Sequence, residues 1–143
     1  MNPAETEIAK AIDRWIVALK GRNLQQLFAD YAPSIILFDV KPPFQLRGVP
    51  AIRTMWEECL PCFPESFGYE RRDIRLIAGV DVAVAHWIFR ITGWPEDHPA
   101  AGMWFRATLA FQRTGGRWLV IHEHVSSPFD PMTGMVVSKP EVE

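Results

Sequence analysis

Asp39 closes an apolar run, Ile35-Ile36-Leu37-Phe38, and is the first side chain whose setting points to proton chemistry. By the two-residue period of a strand, Ile35, Leu37 and Asp39 share one face, and Ile36, Phe38 and Val40 the other. Facing a dry pocket, the carboxylate would have its pKa raised toward the range useful to a general base at neutral pH. Facing water, it would be a strand-end aspartate bonded to the turn at Pro42-Pro43.

A second constellation is His122-Glu123-His124-Val125-Ser126. Strand alternation puts Trp118, Val120, His122, His124 and Ser126 on one face, with Leu119, Ile121, Glu123 and Val125 opposite. Two histidines so spaced can touch one ligand, or His124 and Ser126 can satisfy buried polar partners. A transition metal would need a third ligand, for which Asp39 or His86 are the inward possibilities, and no metal is expected. Arg106 interrupts an apolar stretch, sharing a face with Trp104, Thr108 and Ala110, and a buried guanidinium needs a partner. Glu123 is the expected mate, with a clamp on a ligand carboxylate as the functional alternative. His86 shares a face with Val82, Val84, Ile88 and Arg90, which suits either a core or interface histidine or a pocket group. Cys59 and Cys62 lie late in a helical pattern, with no second Cys-x-x-Cys, and read as thiols in a reducing compartment.

These side chains need elements to hold them. Ile8, Ile12, Trp15, Ile16 and Leu19 recur at helical spacing within residues 4–20, ended by Gly21. Asn23 can cap a shorter helix carrying Leu24, Leu27, Phe28 and Tyr31, stopped by Pro33. A strand from Ser34 to Val40 follows. Gly48-Val49-Pro50 introduces a third helix with an Ile52, Met55, Trp56, Cys59, Leu60 and Phe63 stripe, ended by Pro61 and Pro64. Strands are predicted over 69–77, 82–92, 103–113 and 117–126, with turns at Gly79-Val80-Asp81 and Thr114-Gly115-Gly116 and a loop over 93–102. Residues 1–127 form the expected domain and 128–143 a tail with little periodicity. Helices first and an antiparallel sheet afterwards predict an α+β domain.

Composition bounds the function. At 143 residues, 48% hydrophobic and 22% charged, the chain suits one globular domain. A net charge of −2 without a basic block argues against nucleic acid as partner. No 18-residue apolar run spans a membrane, and the opening MNPAETEIAK has no secretory pattern, so a cytoplasmic protein is expected.

The order of elements also carries a resemblance. Phe38-Asp39-Val40-Lys41-Pro42-Pro43, Gly48-Val49-Pro50-Ala51-Ile52-Arg53, Arg106-Ala107-Thr108, Gly116-Arg117-Trp118, His122-Glu123-His124-Val125-Ser126 and Pro128-Phe129-Asp130-Pro131 resemble the nuclear transport factor 2-like superfamily, nearest its SnoaL-like, ketosteroid-isomerase-related proteins. The last strand is also similar to the association (hub) domain of calmodulin-dependent kinase II. The resemblance implies a cone-shaped, strongly curved antiparallel sheet wrapped around the N-terminal helices, with an apolar pocket inside and a homodimer through the sheet's outer face. It implies Asp39 as the proton-shuttling aspartate. It places Trp15 where ketosteroid isomerases have their oxyanion-hole tyrosine and Leu109 where they have a protonated aspartic acid, which disfavours steroid isomerisation by the familiar route.

Two function classes follow. In the first, a cofactor-independent lyase, isomerase or cyclase uses Asp39 as base on a small apolar carbonyl compound, with His124 or Trp15 hydrogen-bonding the oxygen. In the second, the pocket binds an apolar or carboxylate-bearing ligand without chemistry, or the domain serves hub-type assembly. Trp15, Trp56, Arg106, His122, Ser126 and His86 are the candidate ligand-binding residues in both.

Overall fold

The computed structural model describes residues 1–140, so the end of the expected tail, residues 141–143, lies outside the described residues. Helix α1 spans Pro3–Lys20 and opens with a capping box: Asn2 accepts from the Glu5 backbone N–H and Glu5 reaches back to that of Asn2. Its apolar stripe buries Ile8, Ile12 and Leu19. After Gly21, Arg22 turns the chain at φ 56° and donates to the carbonyls of Leu60 (2.8 Å) and Pro64 (2.7 Å), tying this corner to the end of the third helix.

Helix α2 is a single turn, Leu24–Leu27, capped by Asn23. Tyr31, which the periodicity assigned to this helix, instead opens strand β1, Tyr31–Phe38. Pro33 does not terminate a helix here. It sits where β1 bulges away from its neighbour, exposed and without a ladder hydrogen bond to give. A short strand β2 (Leu46–Arg47) leads into helix α3, Val49–Cys59, and a 3-10 turn over Leu60–Cys62.

Four long strands complete the sheet: β3 (Gly68–Ala78), β4 (Val82–Thr92), β5 (Phe105–Thr114) and β6 (Arg117–Ser126). Their order is β2-β1-β6-β5-β4-β3. The pairings are antiparallel except that of β1 with β6, which is parallel, because the chain returns from the far edge to lay its last long strand beside its first. The β5–β6 hairpin turns on Gly115 and Gly116, both at positive φ, as a two-residue turn of matching twist requires. At Gly93, φ 105°, a Cβ would stand 2.8 Å from the Ser66 carbonyl, so the exit from β4 admits no larger residue.

Beyond Pro128 a small hairpin forms from β7 (Phe129–Asp130) and β8 (Met135–Val136). The result is an α+β cone, with the curved sheet wrapped over α1 and α3. Its core runs from Ile8 and Leu19 through Ile35, Leu37 and Ile52 to Trp87, Phe111 and Val120. Among the described residues no helix is long and apolar enough to cross a membrane.

Candidate functional site

The inner face of the sheet and the helices enclose a cavity of about 240 Å³. Its walls are aromatic. Trp15 of α1 meets Trp56 of α3 edge-on at 6.5 Å and Tyr69 of β3 at 5.8 Å, and Tyr69 stacks on Phe89 of β4 at 4.8 Å. Strand alternation brings Leu37 and Asp39 to this chamber, as the period-two reading of the run before Asp39 requires. Asp39 lies one residue past the end of β1, half-buried. Burial raises its carboxyl above the ordinary aspartate value, opposed by the Val40 backbone N–H and the nearby Lys41 ammonium.

The histidines are elsewhere. Strand β6 carries an extra residue: Phe111 pairs with Val120 and Ala110 with His122, so Ile121 is a bulge opposite no partner. The bulge reverses alternation halfway along the strand. Trp118 and Val120 point inward before it, and Glu123 and Val125 point inward after it. The expected face shared by Trp118, Val120, His122, His124 and Ser126 is therefore split. His122, His124 and Ser126 lie on the outer face, where His122 holds the Ile36 carbonyl at 2.7 Å and both imidazoles flank Phe38.

Arg106 is exposed on the same outer face and donates to Ser126 Oγ at 3.1 Å. Its expected ion pair with Glu123 does not form, because Glu123 stands on the opposite side of the sheet. His86 is also exposed, on the outer face of β4. The structure thus gathers Asp39, Trp15 and Trp56 at the cavity and leaves Arg106, His122, His124, Ser126 and His86 off it. Among the described residues no group of three metal-ligating side chains comes together.

What alternation alone missed is the polar floor of the cavity. Glu123 is 7% exposed and is the one charged residue in the core among those described. Tyr31 donates to its Oε1 at 2.6 Å, and Trp15 Nε1 donates to the Tyr31 hydroxyl at 3.1 Å. Burial raises the Glu123 carboxyl to about 7, the Tyr31 hydrogen bond holding it lower and the charge of Asp39 pushing it further up. Tyr31 is itself driven well above the ordinary phenol value by burial and by the charge of Glu123. Because the Trp15 N–H is committed to Tyr31, Trp15 contributes its ring to the chamber and no free donor.

Tyr69, half-buried and with its phenol raised by desolvation, accepts from Trp87 Nε1 at 2.9 Å. Near the mouth, Cys59 lines the wall beside Lys41, its thiol pushed up by burial, while Cys62 faces water. The signal for Glu123 in the sequence was a carboxylate in an apolar strand; only the pairing of Val120 and His122 shows which way it faces.

Residues 8–130 match the SnoaL-like domain family. No curated protein matches the chain. Among solved structures, an NTF2-like protein of unknown function from Pseudomonas putida KT2440 is 34% identical, with 99% of each chain covered and a TM-score of 0.89. A candidate scytalone dehydratase from Novosphingobium aromaticivorans superposes at a TM-score of 0.72 with 12% identity, covering 96% of this chain and 88% of that one. A candidate calcium/calmodulin-dependent protein kinase type II association domain from Thiobacillus denitrificans gives 0.68 at 20% identity, over 85% and 94%. The last two likenesses concern the fold alone.

Proposed function

The chain belongs to the SnoaL-like domain family, and from its cavity we propose that it binds a small apolar carbonyl compound and moves a proton on it, with Asp39 as general base. The observation that carries this reading is a half-buried carboxyl set into a chamber walled by tryptophan and phenylalanine rings. Such a setting destabilises the charged form and brings a carboxylate's basicity toward the working pH. The apolar walls suit a ligand with a hydrocarbon or aromatic body, and Lys41 at the mouth suits one that also carries a carboxylate. Proton abstraction next to a carbonyl is shared by isomerases and by dehydratases that eliminate water, and the dehydratase-named neighbour is compatible with either.

The experiment is proton exchange. Small ketones and enones are incubated with the protein in D2O and followed by proton NMR. Exchange at the carbon beside the carbonyl should fall at least about 10²-fold in the Asp39→Asn variant while its circular dichroism is unchanged. Exchange at the wild-type rate in that variant removes Asp39 from the role.

Self-association is part of the proposal. Ile77 and Val82, 65% and 59% exposed, stand on the outer sheet face and fit a homodimer contact. Light scattering tests this: a large ring would favour the hub-type assembly reading instead.

A further inference from the structure

We propose that Cys59 and Cys62 form a reversible dithiol–disulfide couple in the chamber wall, oxidised by low-molecular-weight disulfides, and that closing it weakens ligand binding. The coupling to a ligand rests on the reading of the cavity as a ligand chamber; the couple itself does not. These are the two cysteines of the chain, and both are free thiols.

Their spacing comes from the way α3 ends. Cys59 is the last residue of the helix and stands at the entry of the 3-10 turn Leu60–Cys62, its backbone still helical at φ −93° and ψ −30°. Pro61 has no N–H to carry the α-helical ladder on, and the turn closes instead with the Phe63 N–H on the Leu60 carbonyl at 2.9 Å. In such a turn side chains three residues apart eclipse, and three steps of about 2 Å put their Cα atoms about 6 Å apart. A disulfide spans about 4.4–6.8 Å between Cα atoms, so the two sulfurs can meet by side-chain rotation. Arg22 holds the turn in place. It donates to the carbonyls of Leu60 at 2.8 Å, Phe63 at 3.4 Å and Pro64 at 2.7 Å. A backbone tied at both ends keeps the two thiols at this spacing.

Their surroundings differ, and that divides the chemistry between them. Cys62 is exposed and lies off the cavity, whereas Cys59 is half-buried, lines the cavity and has its Sγ 3.8 Å from Met55 Sδ. Burial pushes the Cys59 thiol up, which makes it the poorer first nucleophile. Cys62, as thiolate, therefore attacks one sulfur of the external disulfide and expels one thiolate. Cys59 then gives up its proton and attacks the Cys62 sulfur of the mixed disulfide, expelling the second. The protein dithiol loses two protons and two electrons, and the external disulfide becomes two thiols.

Closing the bond turns the Cys59 sulfur away from Met55 and out of the wall that it shares with Phe63, Lys41 and Asp39. A ligand in the chamber loses a contact about the size of one methylene, worth about fourfold in affinity. Exposure at Cys62 leaves the bond open to reduction, as for other exposed disulfides.

The test uses the intact chain, glutathione disulfide as oxidant and acetophenone as ligand. After incubation with excess oxidant in mildly alkaline buffer, the wild type should lose both thiols and two hydrogens of mass while running as a single chain on a non-reducing gel. Its calorimetric affinity for acetophenone should fall about fourfold and recover with dithiothreitol. Cys62→Ser should keep the Cys59 thiol and bind equally well with and without oxidant. Cys59→Ser should instead accumulate glutathione on Cys62, which fixes the order of attack.

A wild type that keeps its thiols, that retains glutathione on Cys62, or that cross-links between chains overturns the couple. Equal acetophenone affinity in the oxidised and reduced proteins overturns its coupling to the chamber. Failure of the reduced protein to bind acetophenone overturns the chamber reading and that coupling together, while the thiol count and the mass still decide the couple.

Discussion

Replacing Glu123 by glutamine should make the protein more stable in alkaline solution, and the size of the gain follows from where the carboxyl titrates. In the unfolded chain Glu123 loses its proton near the ordinary 4.5; in the fold it holds it to about 7. Between those values the native state binds a proton that the unfolded state has released, so stability falls as pH rises. Each pH unit in that window is worth about 1.4 kcal/mol, which gives about 3 kcal/mol in all, most of it lost between about pH 5 and pH 8. Asp39 is raised too and acts in the same direction, but it is common to both proteins and largely cancels in their difference.

The side-chain amide of the Glu123→Gln variant still accepts from Tyr31 and carries no charge at any pH. The variant should therefore match the wild type within about 1 kcal/mol near pH 5 and exceed it by about 2–3 kcal/mol near pH 8. Urea unfolding followed by tryptophan fluorescence reads this directly. With an m-value of about 2 kcal/mol per M, the midpoints should coincide at the lower pH and separate by about 1 M at the higher. A gap that stays constant with pH, or that grows in favour of the wild type, refutes the assignment of a buried, proton-retaining carboxyl.

Three further outcomes follow from the packing. Trp118 Nε1 is buried without a hydrogen-bond partner among the described residues, so Trp118→Phe, which deletes that N–H, should cost less than about 1 kcal/mol in thermal unfolding, well short of an ordinary core truncation. Deleting Ile121 removes the bulge and forces either Trp118 and Val120 or Glu123 and Val125 to the wrong face; a loss of at least about 4 kcal/mol is expected, and a wild-type melting temperature would contradict the register. A water-soluble thiol reagent should label exposed Cys62 at least about tenfold faster than Cys59, and acetophenone should slow labelling of Cys59 alone, because only Cys59 lines the cavity.

Periodicity sufficed wherever one repeat held from end to end. The stripes of α1 and α3 place Trp15 and Trp56 at the chamber, and unbroken alternation over Ile35–Asp39 gives the orientation of Asp39. Legibility failed where a backbone irregularity interrupts the repeat. Nothing in Val120-Ile121-His122 announces a bulge, because an aliphatic residue serves equally well paired or unpaired; the decision belongs to the partner strand. One extra residue reassigned Glu123 from an expected ion pair with Arg106 to the cavity floor and sent His122, His124 and Ser126 outward. Tyr31 was misread for a similar reason, since the spacing from Leu27 and Phe28 suits a helix while the pairing with Val120 makes it a strand residue. The tail's hairpin, built on two-residue strands, leaves too short a repeat to detect.

The side-by-side run of β1 with β6 has a consequence for synthesis. Ile35 and Leu37 leave the ribosome early, yet the strand that covers one of their edges is translated more than seventy-five residues later. Until Arg117–Ser126 emerges, a nascent chain carries an apolar ribbon with one open edge, the state most exposed to intermolecular pairing. A stop codon anywhere before Trp118 should thus give an aggregating fragment rather than a smaller working protein, because β1 is then left without the strand that covers its edge.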